Sequence, residues 1–439
     1  MDKRIQYKYF FRLTSIVTEI LPSSGAKILD VVFKNLLGNK VLLLFLNNLA
    51  AGQISRVKEF KRILVVSDLN IGDAIICSSG VTALRRIFPD AEIDYVIKKS
   101  TTDFFSGNPE ISNLFPIFEG APYPTEDDLS KLKHIIKSKK YDLAVNYSPM
   151  IDAKIYGKIS VINYSLITAQ LVRNEMFAET INNISYRAYH LISDLFPGYL
   201  REGNNDRFEG TSIYLSNDAI ETANRFLLSN NVSNDYPVIM FNPEASARYT
   251  RLPFNVQVDL LKRLTELECT ILLGSGHLEK DIEQKLLLSL PNENRERIII
   301  VPSTFKLDAY TALIDLSDIY LTGDTGPLHL AAARKYSSSD GSSLRNRTAI
   351  FSIFGGTPSR IYGFDSKTNG FMAANQDAPS RAFVAPSPCR NITCINKLAK
   401  TCKTVRCFES LDIDEIVSES ANHLGNASKY RSVSSNSLV

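Results

Sequence analysis

From Arg62 onward, short β-branched runs alternate with amphipathic helical stretches, and this alternation narrows the possible folds more than any other feature. RILVVS (62–67) precedes GDAIICSSGVTALRRIF, where Ile76, Gly80, Ala83, Leu84 and Ile87 share one helical face. AEIDYVIK then reads as a strand, DDLSKLKHIIKSKK as a helix and YDLAVNY as a strand. Such a succession needs crossover connections, which lay the strands parallel and cover the sheet with helices. A second series opens near Tyr236 and repeats the pattern through YPVIMFN, FNVQVDLLKRLTEL, CTILLGSG, LEKDIEQKLLLSL, RIIIV, DAYTALIDLS, DIYLTGD, PLHLAAARKY and TAIFSIFG. Two series in one chain predict two Rossmann-like α/β domains whose parallel sheets face across a cleft.

A length of 439 residues accommodates two domains and an extra segment. The expected division is a helical extension over 1–60, a first domain over 61–215, a second over 216–410, and a C-terminal helix with a disordered tail over 411–439. Hydrophobic residues at 44% and charged residues at 22% suit a soluble globular protein with a sizeable core. A net charge of +3 gives no reason to expect nucleic acid as a partner. The opening MDKRIQYKYFFRLTSIV has a basic start but no cleavage site, and VLLLFLNNLAAG (41–52) is shorter than a bilayer span, so a cytoplasmic protein is expected. The extension mixes apolar clusters with Lys3, Arg4, Lys8, Arg12, Lys27, Lys34 and Lys40. That pattern fits peripheral contact with the anionic inner face of the membrane, or packing against the main body or another subunit. SSSDGSSLRNR (337–347) and SKYRSVSSNSLV (428–439) read as flexible, and 148–207 carries no motif.

Parallel sheets bind ligands beyond the carboxyl ends of their strands, so polar loops after apolar runs are the first places to look. SDLNIGDAI brings Gly72 and Asp73 to a strand–helix junction. NPEASARYTRLP brings Ser246, Arg248, Thr250 and Arg251 to another, and LTGDTGPLHLAAA brings Asp324, Thr325, Gly326 and His329 to a third. Singly each has a plain alternative: Asp73 as a helix-capping carboxylate, Arg251 as a surface charge, His329 as a core histidine. Together they suggest a diphosphate site. Pro327 suits the first helical position, Gly323 and Gly326 admit close backbone approach, and the helix start offers N–H groups to an anion.

The four segments, in this order, resemble glycosyltransferase family 9, the ADP-heptose:lipopolysaccharide heptosyltransferases. The match runs from about Ile63 to Phe408 and rests on LNIGDAIICSSGVTALRRIFPDAEIDYV, NPEASARYTRLPFNVQVDLLKRL, LTGDTGPLHLAAA and SIFGGTPSRIYG. The resemblance implies a GT-B fold and inverting transfer with no required cofactor or metal. The donor would be a nucleotide diphosphate sugar and the acceptor a glycolipid or glycan. It implies Asp73 as general base and Arg251 beside the leaving phosphate. Ser246, Glu279, Asp324, Thr325, Gly326 and His329 would then hold the donor. Transfer of another sugar, a protein acceptor, a nucleotide-sugar epimerase and a non-catalytic nucleotide-sugar-binding protein stay open as alternatives. Cys389, Cys394, Cys402 and Cys407, spaced C-x4-C-x7-C-x4-C, belong to a segment found in many members. Reduced thiols, a metal site and two disulfides are the open readings of that cluster.

Overall fold

The structure, a computed structural model, describes residues 59–119, 123–148, 150–162, 184–193, 196, 213–233, 236–245, 248–274, 282–336, 348–357, 359–365, 380–386 and 405–435. The chain divides into two compact units, Met1–Thr211 and Ser212–Val439. The extension over 1–58 and the insertion over 337–347 lie outside the described residues.

The first unit runs β1 (Arg62–Val66), α1 (Ile71–Ile87), β2 (Glu92–Lys98), β3 (Asn113–Phe118), α2 (Glu126–Lys139), β4 (Leu143–Asn146), β5 (Ser160–Ile162) and α3 (Ile184–Ser193). Its sheet has the order β3-β2-β1-β4-β5, and the described pairings are parallel. In β1, Ile63 to Val66 are all buried, as expected of a central strand covered on both faces. The alternating pattern carries a short strand such as β5 poorly, and both β5 and α3 fall in the stretch without a motif. Helix α2 begins with a capping box in which Thr125 and Asp128 satisfy each other's backbone N–H. Helix α1 keeps Gly80 where the Tyr147 hydroxyl packs against it: a Cβ there would stand 1.9 Å from that oxygen. Three edge-on rings, Phe60, Phe88 and Phe196, add to the core with centroids 5.1–6.0 Å apart.

The second unit runs α4 (Asn217–Ser229), β6 (Val238–Asn242), α5 (Phe254–Leu264), β7 (Thr270–Leu273), α6 (Ile282–Leu288), β8 (Ile298–Ile300) and α7 (Leu307–Asp315). It continues with β9 (Ile319–Gly323), α8 (Gly326–Tyr336), β10 (Ala349–Phe354), β11 (Ser380–Val384) and α9 (Ile413–Ser435). Its parallel sheet has the order β11-β10-β9-β6-β7-β8. Buried side chains pack on both faces: Leu260, Leu264, Leu286 and Phe408 on one, Leu313, Leu328 and Phe364 on the other. Arg334, near the end of α8, donates to Asp315 Oδ2 at 2.7 Å and to the Ile213 carbonyl at 3.0 Å, which fixes α8 against α7.

One expectation needs correction. Gly326 is the first helical residue of α8 and Pro327 the second, a position that also tolerates a missing N–H. Helix α9 continues through the polar segment from Ser428 as far as Ser435, and 436–439 lie outside the described residues. Packed turns at Ile416, Ser420 and Leu424 nucleate α9, and each further residue then adds a backbone hydrogen bond.

Candidate active site

Each sheet has one place where its chain order reverses direction, and at that place the loops diverge and leave a crevice beyond the carboxyl ends. In the first unit the reversal falls between β1 and β4. Residues after β1 carry Asp68, 7% exposed, and then Asn70, Gly72 and Asp73 at the start of α1. Ser148, after β4, is buried as well. Next to β1, strand β2 ends on Lys98, which is 6% exposed and donates to Asn70 Oδ1 at 2.9 Å.

Asp73 keeps an exposed surface, yet the protein crowded around its carboxyl raises its pKa, while the Lys98 charge works the other way. Asp68 is raised too, by burial, against a Ser148 hydrogen bond and Lys98. A carboxylate shifted upward is a better proton acceptor than an ordinary one. Asp68, Lys98 and Ser148 escape a motif-based reading, because a single polar residue at a strand end has no periodicity to mark it.

In the second unit the reversal falls between β6 and β9. The loop after β6 returns to this edge so closely that a Cβ on Gly323 would lie 3.1 Å from the Thr250 carbonyl oxygen. That contact brings the Arg251 loop to the loop holding Asp324 and Thr325. Arg251 is half-buried, with Nε and Nη2 donating to the Ala245 carbonyl at 3.2 and 3.1 Å. Gln257 braces the same loop by donating to the carbonyls of Pro243 and Leu252. Glu244, 2% exposed, also sits in it, with its N–H held by Asn242 Oδ1. Nothing in the sequence marks a buried glutamate at this edge, because NPEAS reads simply as loop.

Asp324 is partly exposed at the tip of β9, and Gly326 follows at the start of α8. Thr325 is buried, its hydroxyl 3.2 Å from that of Thr322, and it accepts from the Leu328 N–H at 3.4 Å. One amide counted toward an anion site is therefore engaged by the protein itself. His329 is 6% exposed, packs edge-on against Phe364 at 5.5 Å, and its Nδ1 meets no partner among the described residues. Burial lowers its pKa to about 4, so the ring is neutral near pH 7 and can offer a ligand a hydrogen bond but no charge.

Ser246 and Glu279 lie outside the described residues, as do Cys389, Cys394 and Cys402. Cys407 is half-buried, and its Sγ and the Phe408 ring crowd Gly355 in the loop after β10. Among the described residues no three His, Cys, Asp or Glu side chains group as a metal site. No described helix is long and apolar enough to cross a membrane.

Residues 213–337, which include the Arg251, Asp324 and His329 loops, match the family model for glycosyltransferase family 9 (heptosyltransferase). Lipopolysaccharide heptosyltransferase 3 of Escherichia coli K12 is 21% identical over 296 residues, 65% of this chain and 80% of that protein. Among solved structures, the family 9 glycosyl transferase of Veillonella parvula superposes with a TM-score of 0.61 at 15% identity, covering 84% of this chain and 98% of the other. The ADP-heptose lps heptosyltransferase II of Escherichia coli gives 0.53 at 17% identity, covering 83% and 98%. At such identities the structures speak for the fold: two parallel α/β units of the GT-B class. With loops, topology and family match in agreement, residues 213–337 form a glycosyltransferase family 9 domain, and the chain is a glycosyltransferase similar in sequence to heptosyltransferases.

Proposed function

We propose that the protein is an inverting transferase that moves a heptose from ADP-heptose to a lipopolysaccharide core or related glycan. The observation that carries this reading is the contact of the Thr250 carbonyl with Gly323, which sets the Arg251 loop beside Asp324 and Thr325 at a nucleotide-type crevice. Arg251 and the N–H groups opening α8 balance the charge that develops on the departing diphosphate, so no metal or other cofactor is required. Ser246, Asp324, Thr325, Gly326 and His329 hold the diphosphate and sugar, and Glu279 contacts the nucleoside. Asp73 takes the proton of the acceptor hydroxyl as its oxygen attacks the anomeric carbon, and the nucleoside diphosphate leaves from the opposite face. The reaction takes place in the cytoplasm, with the basic residues of the extension in peripheral contact with the inner membrane face.

A thermal-shift screen of ADP-, GDP- and UDP-linked sugars against the full chain tests the donor assignment. Binding to the native state stabilises it by about 2.7 kcal/mol when ligand stands at one hundred times its Kd. A selective rise with ADP-heptose, diminished in Arg251→Met, is the expected result. Equal shifts for every sugar, or none, would refute the assignment.

A further inference from the structure

We infer that Lys98 is a positioning residue for Asp73: its buried ammonium fixes the start of α1 through Asn70, three residues before Asp73, and supplies a positive charge that acts on that carboxyl. The inference rests on the proposed role of Asp73 as base and concerns how that base is kept ready.

Lys98 is 6% exposed at the end of β2, and its one hydrogen bond among the described residues goes to a neutral amide, Asn70 Oδ1 at 2.9 Å. No carboxylate among the described residues lies within ion-pair distance of it. Burying an ammonium without a close counter-ion is costly, and an apolar side chain of similar length would serve packing better. The position therefore calls for a role that needs charge. Asn70 adds a second observation. It is the N-cap of α1, a position where an Asn side chain ordinarily accepts from the first-turn backbone, yet it makes no such cap here because its oxygen is turned to Lys98. Lys98 thus grips the residue three before Asp73 and governs how the helix begins.

The groups facing Asp73 are few. Lys98 comes from β2 and Cys77 lies one turn further along α1, while Asp68, after β1, shares the influence of Lys98. Lys98 is the one positive charge among them and acts on both carboxyls. Desolvation pushes Asp73 toward its protonated form, in which it cannot accept a proton, and Lys98 opposes that push.

The test is a carbon-13 NMR titration of the full chain labelled at its aspartate carboxyls, with Asp73→Asn identifying the Asp73 resonance. In Lys98→Met the Asp73 midpoint is expected to move to higher pH, and Lys98→Arg should bring it back toward wild type. Lys98→Gln keeps a donor for Asn70 but lacks the charge, so it must show the upward move even where the Met variant folds poorly. An unmoved midpoint in a folded Gln or Met variant overturns the inference whatever the catalytic data say. A moved midpoint combined with full transfer by Asp73→Asn leaves the electrostatic role intact and overturns only the assignment of the base.

Discussion

The two units solve the same topological problem with opposite chemistry. At the β1/β4 reversal the first sheet gathers charge, with Asp68 and Asp73 around one buried ammonium. At the β6/β9 reversal the second gathers hydroxyls, an engaged helix start and a neutral imidazole, and its guanidinium is tethered to a carbonyl. A parallel sheet supplies only the place, and the residues just past the strand ends decide what chemistry that place offers. The first edge carries raised carboxyls under an ammonium, and the imidazole of the second stays neutral and insensitive to pH near 7.

Removing the proposed proton acceptor attacks this contrast most directly. Asp73→Asn keeps the shape of the side chain and abolishes its basicity, so turnover should fall by about 10²–10⁴-fold. The stabilisation conferred by donor should not change, because the loss lies on the first unit. Full turnover in a folded Asn variant would end the division of labour. The surviving wild-type activity should also decline as pH falls through the raised Asp73 pKa, since the protonated carboxyl can no longer accept.

His329 probes the insensitive edge. Its folded pKa is about 4 against an ordinary 6.5, so below 6.5 the unfolded chain takes up a proton that the folded chain refuses. The associated stability is present in full above 6.5 and disappears as pH falls toward 4. The loss amounts to about 3 kcal/mol at 1.36 kcal/mol per pH unit. Urea unfolding of the second unit at pH 7 and near 4 should reveal this loss in the wild type and lack it in His329→Gln. An equal pH dependence in both proteins would place the acid sensitivity elsewhere.

Gly323→Ala sharpens the contrast by steric means. Its methyl would lie 3.1 Å from a backbone oxygen, which gives less readily than a side chain, so about 1–3 kcal/mol of stability should be lost. Donor-induced stabilisation should weaken with it as the Arg251 loop is displaced. Gly80→Ala is the matched control in the first unit: it collides with the Tyr147 hydroxyl, should also destabilise, and should leave donor binding unchanged. If both variants weaken donor binding alike, general destabilisation is the cause and the loop contact is not special.

How much of this was legible in advance depended on periodicity. The alternating runs marked most strands and helices, because β1, β6, β9 and β10 are covered on both faces and read as largely apolar words. Strand β5 and helix α3 lacked that mark, one being three residues long and the other lying in a polar stretch. At the candidate site, glycines beside carboxylates pointed to Asp73 and to the Asp324–His329 loop. Lys98 and Glu244 were invisible, because burial of a charged side chain at a strand end follows from neighbours distant in sequence. The tethering of Arg251 to Ala245 and the engagement of the Leu328 amide by Thr325 were hidden for the same reason.

The smallest effect concerns Thr325, and it asks whether the second edge is kept quiet by its own hydroxyls. Thr325 Oγ1 meets Thr322 Oγ1 at 3.2 Å and receives the Leu328 N–H at 3.4 Å, so it serves a buried hydroxyl and a helix start together. Thr325→Val keeps the volume and removes both contacts, which should cost about 1 kcal/mol, the usual worth of a cap. Thr325→Ser restores the hydroxyl and should recover most of that stability. The informative measurement is donor affinity across the pair. If the released Leu328 amide turns to the diphosphate, Val will bind donor no more weakly than wild type while being less stable. If Thr325 itself contacts the donor, Val will lose affinity and Ser will regain it.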